Sequence, residues 1–393
     1  MRIAVVSRYW PSNERSGVTL AAAAHVKILA AAGHDVSIIG SVDTVLDEHL
    51  PVSARYHVAA RGSGSLYSPA RLSREHLRKV IETLSPELVI VEAWQTALTD
   101  TTIDVASDAH VPLLMVSHGA SVHPFGPGPL EHLRALAWRH YRSITLPRLI
   151  SRLNVLTTLD ESSTSDRFFD RDLARRMGIP VVPLANSAVN WSPGFIERER
   201  RRPQILVIGY FSRIKNQMAA LEVCAALPQH LHMRFVGPRV GGYYERCVGH
   251  ARELGLESRV TFAEDAECDV ADEIAGSLVV LSTSITEALP LTLIEAMAAG
   301  TPFVATPVGA VPSLQGGVLA ADRMQQTAAV RTLAEESSEW CRCSEAGRRQ
   351  FFRDFSRERV AAQLMHAIDI ARAPLLRRRW APAGIASHSG TEQ

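Results

Sequence analysis

Residues 278–302 read Leu-Val-Val-Leu-Ser-Thr-Ser-Ile-Thr-Glu-Ala-Leu-Pro-Leu-Thr-Leu-Ile-Glu-Ala-Met-Ala-Ala-Gly-Thr-Pro, with Glu287 and Glu295 eight positions apart. The apolar run Leu278–Leu281 predicts a strand that is buried on both faces, as in a parallel sheet. Leu291–Ala299 consists of good helix formers, with a proline just before it and a glycine just after it. The stretch therefore predicts a buried strand, a loop and a helix.

The two glutamates fall on different parts of this unit. Glu287 lies on the predicted loop and Glu295 on the helix about a turn further in. The first N–H groups of a helix have no intrahelical acceptor. We therefore predict that the amides of residues 291–293 form a site for an anion or for sugar hydroxyls. A carboxylate accepts two hydrogen bonds at once, which suits adjacent hydroxyls of a sugar. The alternative is an ordinary strand, loop and helix with two solvated carboxylates.

Length and composition narrow the class of protein. A chain of 393 residues predicts two domains, and a net charge of +1 gives no electrostatic case for nucleic acid. The sequence has no apolar run long enough to cross a membrane, and its start resembles a first strand. Five scattered cysteines predict reduced thiols in a cytoplasmic protein. Cys341 and Cys343 are close in the sequence, but no second pair of cysteines accompanies them, so we predict no metal site.

Short apolar strands alternate with helical patterns along the whole chain, which predicts the α/β class with two doubly wound parallel sheets. The alternation stops at 190–203, a stretch with Ser-Pro-Gly and a run of charges, and we predict an interdomain linker there. The carboxyl ends of both sheets would then face one central cleft, where such folds bind ligands. Strands are predicted at Ile3–Ser7, Val36–Ile39, Leu88–Val91, Leu113–Val116, Asn154–Thr157, Val181–Leu184, Ile205–Ile208, His232–Val236, Arg259–Phe262, Leu278–Ser282 and Phe303–Thr306.

The stretch around the two glutamates resembles the Glu-x7-Glu signature of retaining glycosyltransferases with the GT-B fold, family 4 in particular. The flanking residues match as well, from a serine three positions before Glu287 to the later Val-Ala-Thr and Gly309. The resemblance implies that Glu295 holds the nucleotide ribose, and that Glu287 and the amides after it hold the donor sugar. The donor-binding residues implied here are Ser284, Glu287, Ala288, Leu289, Pro290, Leu291, Thr292 and Glu295.

A second match follows the first strand of the second domain. Gly209-Tyr-Phe-Ser-Arg-Ile-Lys-Asn-Gln217 resembles the phosphate-binding loop of the family, and Lys215 falls on its lysine. A lysine there neutralises charge on the departing diphosphate. The family arginine falls on Tyr210, which is a departure. Either Arg213 supplies the second positive charge, or the site has one charge fewer.

The first domain carries three further candidates. His118 ends an apolar strand and resembles the family histidine beside the donor sugar, whereas His123 is a weaker candidate. Ser12–Gly17 stands where the family has a Gly-Gly loop whose backbone amides approach the diphosphate. Only Gly17 remains of that pair, but the small residue before it, Ser16, still permits a close approach. Asn186 resembles an asparagine of the turn before the linker and is predicted to be structural.

The residues and the resemblance together predict a retaining glycosyltransferase that uses a UDP- or GDP-linked sugar and no further cofactor. The acceptor is a small molecule, a saccharide or a lipid-linked molecule. A nucleotide-sugar 2-epimerase of the same fold and a non-catalytic scaffold that binds sugar nucleotides are the alternatives. The predicted units are residues 1–189, a linker at 190–203, residues 204–355, a helix at about 356–373 that packs back on the first domain, and a tail at 374–393.

The segment 131–152 is helical in pattern and basic, with five arginines against one glutamate. Trp138 and Tyr141 are interleaved with the arginines. Such a segment suits either a weak peripheral contact with an anionic membrane or a solvated helix face over an aromatic core stripe. We favour the solvated face.

Overall fold

A computed structural model describes residues 1–12, 16–41, 46, 48–58, 60–61, 71–120, 128–186, 194–239, 241–264 and 267–373. The predictions for His123 and for the tail at 374–393 lie outside these residues. So do residues 13–15 of the loop before the first helix and residues 190–193 of the linker, whereas 194–203 are described.

The first sheet has seven parallel strands in the order β3-β2-β1-β6-β7-β8-β9. All residues of β6, β7 and β8 are buried, which explains why Leu88–Val91 and Leu113–Val116 are apolar runs without alternation. Its strands are β1 (Arg2–Val6), β2 (Asp35–Ser41), β3 (Ala54–Val58), β6 (Leu88–Glu92), β7 (Leu113–Val116), β8 (Val155–Thr158) and β9 (Val181–Pro183). The short strands β4 (Ala60–Arg61) and β5 (Arg71–Leu72) pair antiparallel, apart from this sheet.

The second sheet has six parallel strands in the order β12-β11-β10-β13-β14-β15. In each sheet the strand order reverses beside the first strand, between β1 and β6 and between β10 and β13. Its strands are β10 (Arg202–Ile208), β11 (His232–Val236), β12 (Val260–Ala263), β13 (Ser277–Ser282), β14 (Phe303–Ala305) and β15 (Gly317–Leu319). The prediction of two doubly wound parallel sheets is confirmed, and the arrangement is the GT-B fold.

Helices cover both faces of the two sheets. The helices of the first part are α1 (Gly17–Ala31), α2 (Arg74–Leu84), α3 (Ala97–Asp108), α4 (Pro129–His140), α5 (Leu146–Ile150) and α6 (Phe169–Arg176). Those of the second part are α7 (Gln217–Ala226), α8 (Tyr243–Glu253), α9 (Val270–Gly276), α10 (Leu291–Ala299), α11 (Arg323–Glu335), α12 (Ser337–Gln350) and α13 (Arg357–Arg372).

The last helix, α13, lies against the first sheet, where it contacts β7, β8, β9 and helix α1. The Gln363 side chain accepts a hydrogen bond from the Ala185 amide at 3.0 Å. A single apolar core runs from the first sheet through α13 and α10 to the second sheet, and includes Val116, Leu293 and Leu364. The two halves of the chain are therefore joined by buried apolar surface as well as by the linker.

Part of the charged run that is predicted to be linker belongs to a strand of the second sheet. Strand β10 begins at Arg202, two residues before the predicted start of the second domain. The Arg201 side chain is buried and donates to the carbonyls of Ala299 and Ser277, while Arg202 donates to the Glu273 carboxylate at 3.0 Å. These partners hold the arginines in place, so residues 202–203 belong to the sheet. The division into domains otherwise remains a prediction.

Candidate functional site

The candidate site lies where the strand order of the second sheet reverses. Lys215 is on the loop after β10, and Glu287 is on the loop after the neighbouring strand β13. In open α/β sheets such a reversal leaves a crevice at the carboxyl ends of the strands, because the two following connections leave in opposite directions. The two sequence motifs are therefore brought together by the topology.

Lys215 and Glu287 form a direct ion pair, with 2.6 Å between the Lys215 Nζ and the Glu287 Oε1. The side chains are only 19% and 14% exposed, so the pair is less screened than one on an open surface. Tyr210 places its ring centroid 5.9 Å from the same Nζ. Gly209 has a φ of +143°, and a Cβ there would lie 3.3 Å from Lys215 Cε. The lysine thus crosses closely over its own loop.

Hydrogen bonds tie the loop of Glu287 to the loop of Lys215. The Thr283 hydroxyl donates to the Asn216 carbonyl at 2.9 Å, and the Ile285 amide donates to the Ile214 carbonyl at 2.8 Å. On the other side, the Thr306 hydroxyl donates to the Ser284 carbonyl at 2.6 Å. Glu287 is consequently held on a braced backbone.

Gly309 packs directly against the backbone of Glu287. It has a φ of +59°, and a Cβ there would lie 2.1 Å from the Glu287 carbonyl oxygen. The next amide, Ala310, donates to the Ala288 carbonyl at 2.7 Å. The close approach requires a residue without a side chain, which gives a physical reason for this glycine.

The N-terminus of α10 opens next to this pair. Pro290 is the N-cap with a φ of −71°, one residue before the helix, and no side chain caps the helix among the described residues. By contrast, Ser16 and Thr19 cap α1 reciprocally. The Leu293 amide donates to the Pro290 carbonyl at 3.2 Å, so the predicted site of three free amides, 291–293, is reduced to those of residues 291 and 292. The tight first turn is the reason for the correction.

Glu295 lies on α10 in the turn after these amides and is partly buried. Ser284 is buried on the loop after β13. The Ser282 hydroxyl lies 3.4 Å from the Ser284 hydroxyl. The structure thus places the two glutamates on the loop and the helix that the sequence predicts for them.

Three loops of the first domain reach residues 288–291. A Cβ at Gly17 would lie 3.7 Å from the Leu291 side chain, and a Cβ at Gly119 would lie 2.7 Å from the Ala288 Cβ. The Asn186 side chain donates to the Leu289 carbonyl at 3.2 Å. Ser16 and Gly17, predicted to approach the diphosphate, therefore lie beside the open end of α10, and Asn186 links the two domains.

His118 is buried at the end of β7 and belongs to a network that the sequence did not predict. Its Nε2 lies 2.7 Å from the Glu92 Oε2, and the Glu92 Oε1 lies 2.9 Å from the His25 Nδ1. The Nδ1 of His118 is buried and has no hydrogen-bond partner in the described part of the chain. Glu92 therefore orients His118 through one ring nitrogen and leaves the other available.

Burial alone would raise the pKa of Glu92, but the charge of His25 and hydrogen bonds from His118 and His25 lower it to about 2. Glu92 is therefore a carboxylate throughout the physiological range. A glutamate that directly follows an apolar strand, as Glu92 follows Leu88–Val91, is the sequence signal that was overlooked. His25, within an apolar helix, gave no comparable signal.

Burial raises the pKa of the Tyr243 phenol at the start of α8, and the charge of the exposed Arg213 opposes that rise. Burial lowers the pKa of Arg167, and the charges of the Glu287 carboxylate and the Tyr210 phenol oppose that lowering. Arg167 belongs to the first domain, and the sequence did not single it out. Arg167 lies in a short 3₁₀ turn, Asp166–Phe168, before α6. No recognisable motif surrounds Arg167, so the sequence does not indicate a role for it.

A cavity of about 560 Å³ opens beside the site between the two domains. The Ser163 hydroxyl donates to the Gly309 carbonyl across this gap at 2.8 Å. The cavity is lined by residues 160–165 except Glu161 on one side, and by Ile285, Thr286 and residues 307–313 except Val311 on the other. Hydroxyl groups from both domains therefore face a space large enough for a sugar. Within the described ranges, no group of three histidine, cysteine or acidic side chains is arranged to hold a metal ion.

The basic segment 131–152 forms α4, a π-helical turn at Tyr141–Thr145, and α5. Trp138 is buried and stacks on Tyr141 with 5.9 Å between ring centroids, so its ring is not exposed for contact with lipid headgroups. Arg148 pairs with Asp104 at 2.8 Å, and Arg152 pairs with Asp108 at 2.9 Å. Among the described residues, no helix is both long and apolar enough to cross a membrane.

A family model and a curated relative each match part of this chain. Residues 202–336 match the family model described as glycosyl transferases group 1. The MMP α-(1→4)-mannosyltransferase of Mycolicibacterium hassiacum is 28% identical over an alignment of 247 residues, and the match covers 58% of this chain and 57% of that protein. The match therefore spans little more than half the length of the curated relative.

Solved structures share the fold over nearly the whole chain. Anabaena HepE, in complex with UDP and glucose, has a TM-score of 0.68 at 16% identity and covers 94% of this chain and 99% of its own. Sucrose-phosphate synthase from Thermosynechococcus elongatus has a TM-score of 0.66 at 16% identity and covers 93% and 98%. The protein has the GT-B fold, and its residues 202–336 are similar to group 1 glycosyl transferases.

Proposed function

We propose that this protein is a retaining glycosyltransferase that moves a sugar from a nucleoside-diphosphate sugar to an acceptor hydroxyl. The observation that carries the proposal is the Lys215–Glu287 pair beside the uncapped start of α10, at the strand-order reversal of the second sheet. A cation and free amides suit a diphosphate, and a carboxylate suits sugar hydroxyls. The family match at residues 202–336 covers both motifs and supports the proposal.

Each residue receives a role in this proposal. Glu295 binds the ribose, Glu287 binds the donor sugar, and Lys215 binds the diphosphate together with the amides of residues 291 and 292. His118 donates or accepts a hydrogen bond at the sugar through the Nδ1 that is otherwise unpaired. Ser16 and Gly17 let the first domain approach the diphosphate from the opposite side.

The proposed transfer needs no reactant other than the donor and the acceptor. The bond between the anomeric carbon and the phosphate oxygen breaks, and its electron pair leaves with the diphosphate. The acceptor hydroxyl oxygen forms the new bond on the same face of the sugar, and its proton goes to an oxygen of the departing diphosphate. Lys215 stabilises the charge that grows on that diphosphate, where electrostatic help is most effective.

The comparisons guide the choice of donor. The curated relative is called a mannosyltransferase, and the Anabaena structure is described as a complex with UDP and glucose. Mannose and glucose linked to UDP or GDP are therefore the donors to test first. A cytoplasmic location and the lack of a required metal ion or cofactor remain predictions.

A sugar-nucleotide-binding scaffold is the second candidate, favoured by the loss of the family arginine at Tyr210. The two are separated by incubating the protein with each donor and a mixed set of saccharide and lipid acceptors. Release of nucleoside diphosphate that depends on acceptor, with a product of unchanged anomeric configuration by NMR, supports the transferase. Binding without release supports the scaffold, and release of nucleotide with a 2-epimerised free sugar would indicate the epimerase of the same fold.

A further inference from the structure

Arg167 reaches the boundary between the two domains. The Ala120 amide donates to the Arg167 carbonyl at 2.8 Å, which fixes its turn against the loop that follows His118. A Cβ at Gly119 would lie 3.7 Å from the Arg167 Nε and 2.7 Å from the Ala288 Cβ. The side chain of Arg167 therefore passes one glycine away from the residue that follows Glu287.

The guanidinium of Arg167 is incompletely paired. Its Nε is buried and has no hydrogen-bond partner in the part of the chain that the structure describes. An unsatisfied buried donor is costly, and a bound ligand is one of the partners that can satisfy it. Arg171, one helical turn later, is by contrast fully engaged with the carbonyls of Asp160 and Ser163 and with the Asp172 carboxylate.

The charge balance of the site also requires another cation. Lys215 and Glu287 are 2.6 Å apart and neutralise each other. A diphosphate in the crevice would add about two negative charges by the ordinary ionisation of phosphate esters. Arg167 is within electrostatic range of both Glu287 and Tyr210, whereas the exposed Arg213 acts on Tyr243.

We infer that Arg167, from the first domain, supplies to the donor diphosphate the second positive charge that the phosphate loop lacks at Tyr210. The inference rests on the proposed function and adds a binding residue to it. A planar guanidinium suits this task because it donates in a fork to two phosphate oxygens. A diphosphate held in this way would contact both sides of the cleft, since Lys215 and Arg167 lie on opposite sides of it.

The test is a titration of UDP and GDP, and of uridine and guanosine, into the wild type and four variants. The variants are Arg167→Gln, Arg167→Lys, Tyr210→Arg and the double variant Arg167→Gln with Tyr210→Arg. Arg175→Gln is the matched control, because Arg175 is an exposed arginine on the neighbouring helix α6. Thermal unfolding of each variant shows whether it is folded, and Arg167→Lys keeps a charge at the site if Arg167→Gln does not fold.

Arg167→Gln is expected to weaken diphosphate binding about tenfold to a hundredfold and to leave nucleoside binding unchanged. Arg167→Lys should bind diphosphate with an affinity between those of the wild type and of Arg167→Gln. Tyr210→Arg should restore diphosphate binding in the Arg167→Gln background. Equal loss of diphosphate and nucleoside binding, unchanged diphosphate binding, or no restoration would each overturn the inference. A wild type that binds no nucleoside diphosphate would contradict the proposed function itself, whereas binding that is indifferent to residue 167 contradicts only this inference.

Discussion

The Lys215 ammonium and the Glu287 carboxylate, which are 72 positions apart in the sequence, lie 2.6 Å apart in the fold. They meet because the strands that precede them, β10 and β13, are neighbours in the second sheet. Each side chain neutralises the charge of the other. Under the proposed function, a donor replaces this direct contact, with its diphosphate at Lys215 and its sugar at Glu287.

Replacing Lys215 with alanine should lower turnover more than donor affinity. The charge on the leaving diphosphate grows in the transition state, so the lysine stabilises that state more than it stabilises the bound donor. We expect kcat to fall about a hundredfold or more, while the donor dissociation constant rises less than tenfold. Steady-state kinetics and donor titration measure the two effects. A loss confined to donor affinity would mean that Lys215 only binds the ground state.

Replacing Gly309 with alanine should displace Glu287, because the new Cβ would overlap the Glu287 carbonyl oxygen. Gly255→Ala is the matched control, since Gly255 has a similar φ of +66° but open space around it. The control should lose only the roughly 1–2 kcal/mol that a left-handed backbone costs a residue with a side chain. Gly309→Ala should lose more stability and also donor affinity. Equal behaviour in thermal unfolding and donor titration would show that the approach is not tight.

The Glu92 network should make stability depend on pH in acid. The pKa of Glu92 in the folded protein is about 2, below its ordinary value of 4.5. A lowered carboxyl pKa stabilises the fold above the unfolded value, and this contribution is lost as pH falls from about 4.5 towards 2. Urea unfolding across this range should show a steeper loss for the wild type than for Glu92→Gln. Parallel curves would contradict the assignment of the network.

The basic segment should not draw the protein to membranes. Two of its arginines are paired with Asp104 and Asp108, and its tryptophan is buried. Leu133 and Leu136 are 64% and 58% exposed, so the surface does offer some apolar contact. We expect equal, negligible co-sedimentation with anionic and neutral vesicles at low and high salt. Salt-sensitive retention by anionic vesicles, abolished by charge reversal at Arg139 and Arg142, would favour a lipid-linked acceptor.

Much of the fold could be predicted because buried parallel strands are continuous apolar runs. Leu113–Val116 and His232–Val236 were predicted with the bounds that the structure has. Strands β3 and β15 were missed, because both lie at sheet edges and one is half polar while the other has only three residues.

The site was predicted only where a motif was local. Lys215, Glu287 and Glu295 each lie in a recognisable stretch, whereas Glu92 and Arg167 are significant only through partners far along the chain. Glu92 meets His25 across 67 positions, and Arg167 comes near the loop that carries Glu287 only because the first domain packs against the second. Such pairings depend on topology, which local sequence does not specify.

The central claim is that helix α10, with Glu295 on it and Glu287 on the loop before it, holds a nucleoside-diphosphate sugar. Isothermal titration of UDP and GDP into the wild type and Glu295→Ala tests it most directly, with Glu335→Ala, an exposed glutamate on α11, as the matched control. We predict that the wild type and the control bind one of the two nucleotides equally, and that Glu295→Ala binds it about tenfold to a hundredfold more weakly. Unchanged binding in a folded Glu295→Ala variant, or no binding of either nucleotide by the wild type, would contradict the account.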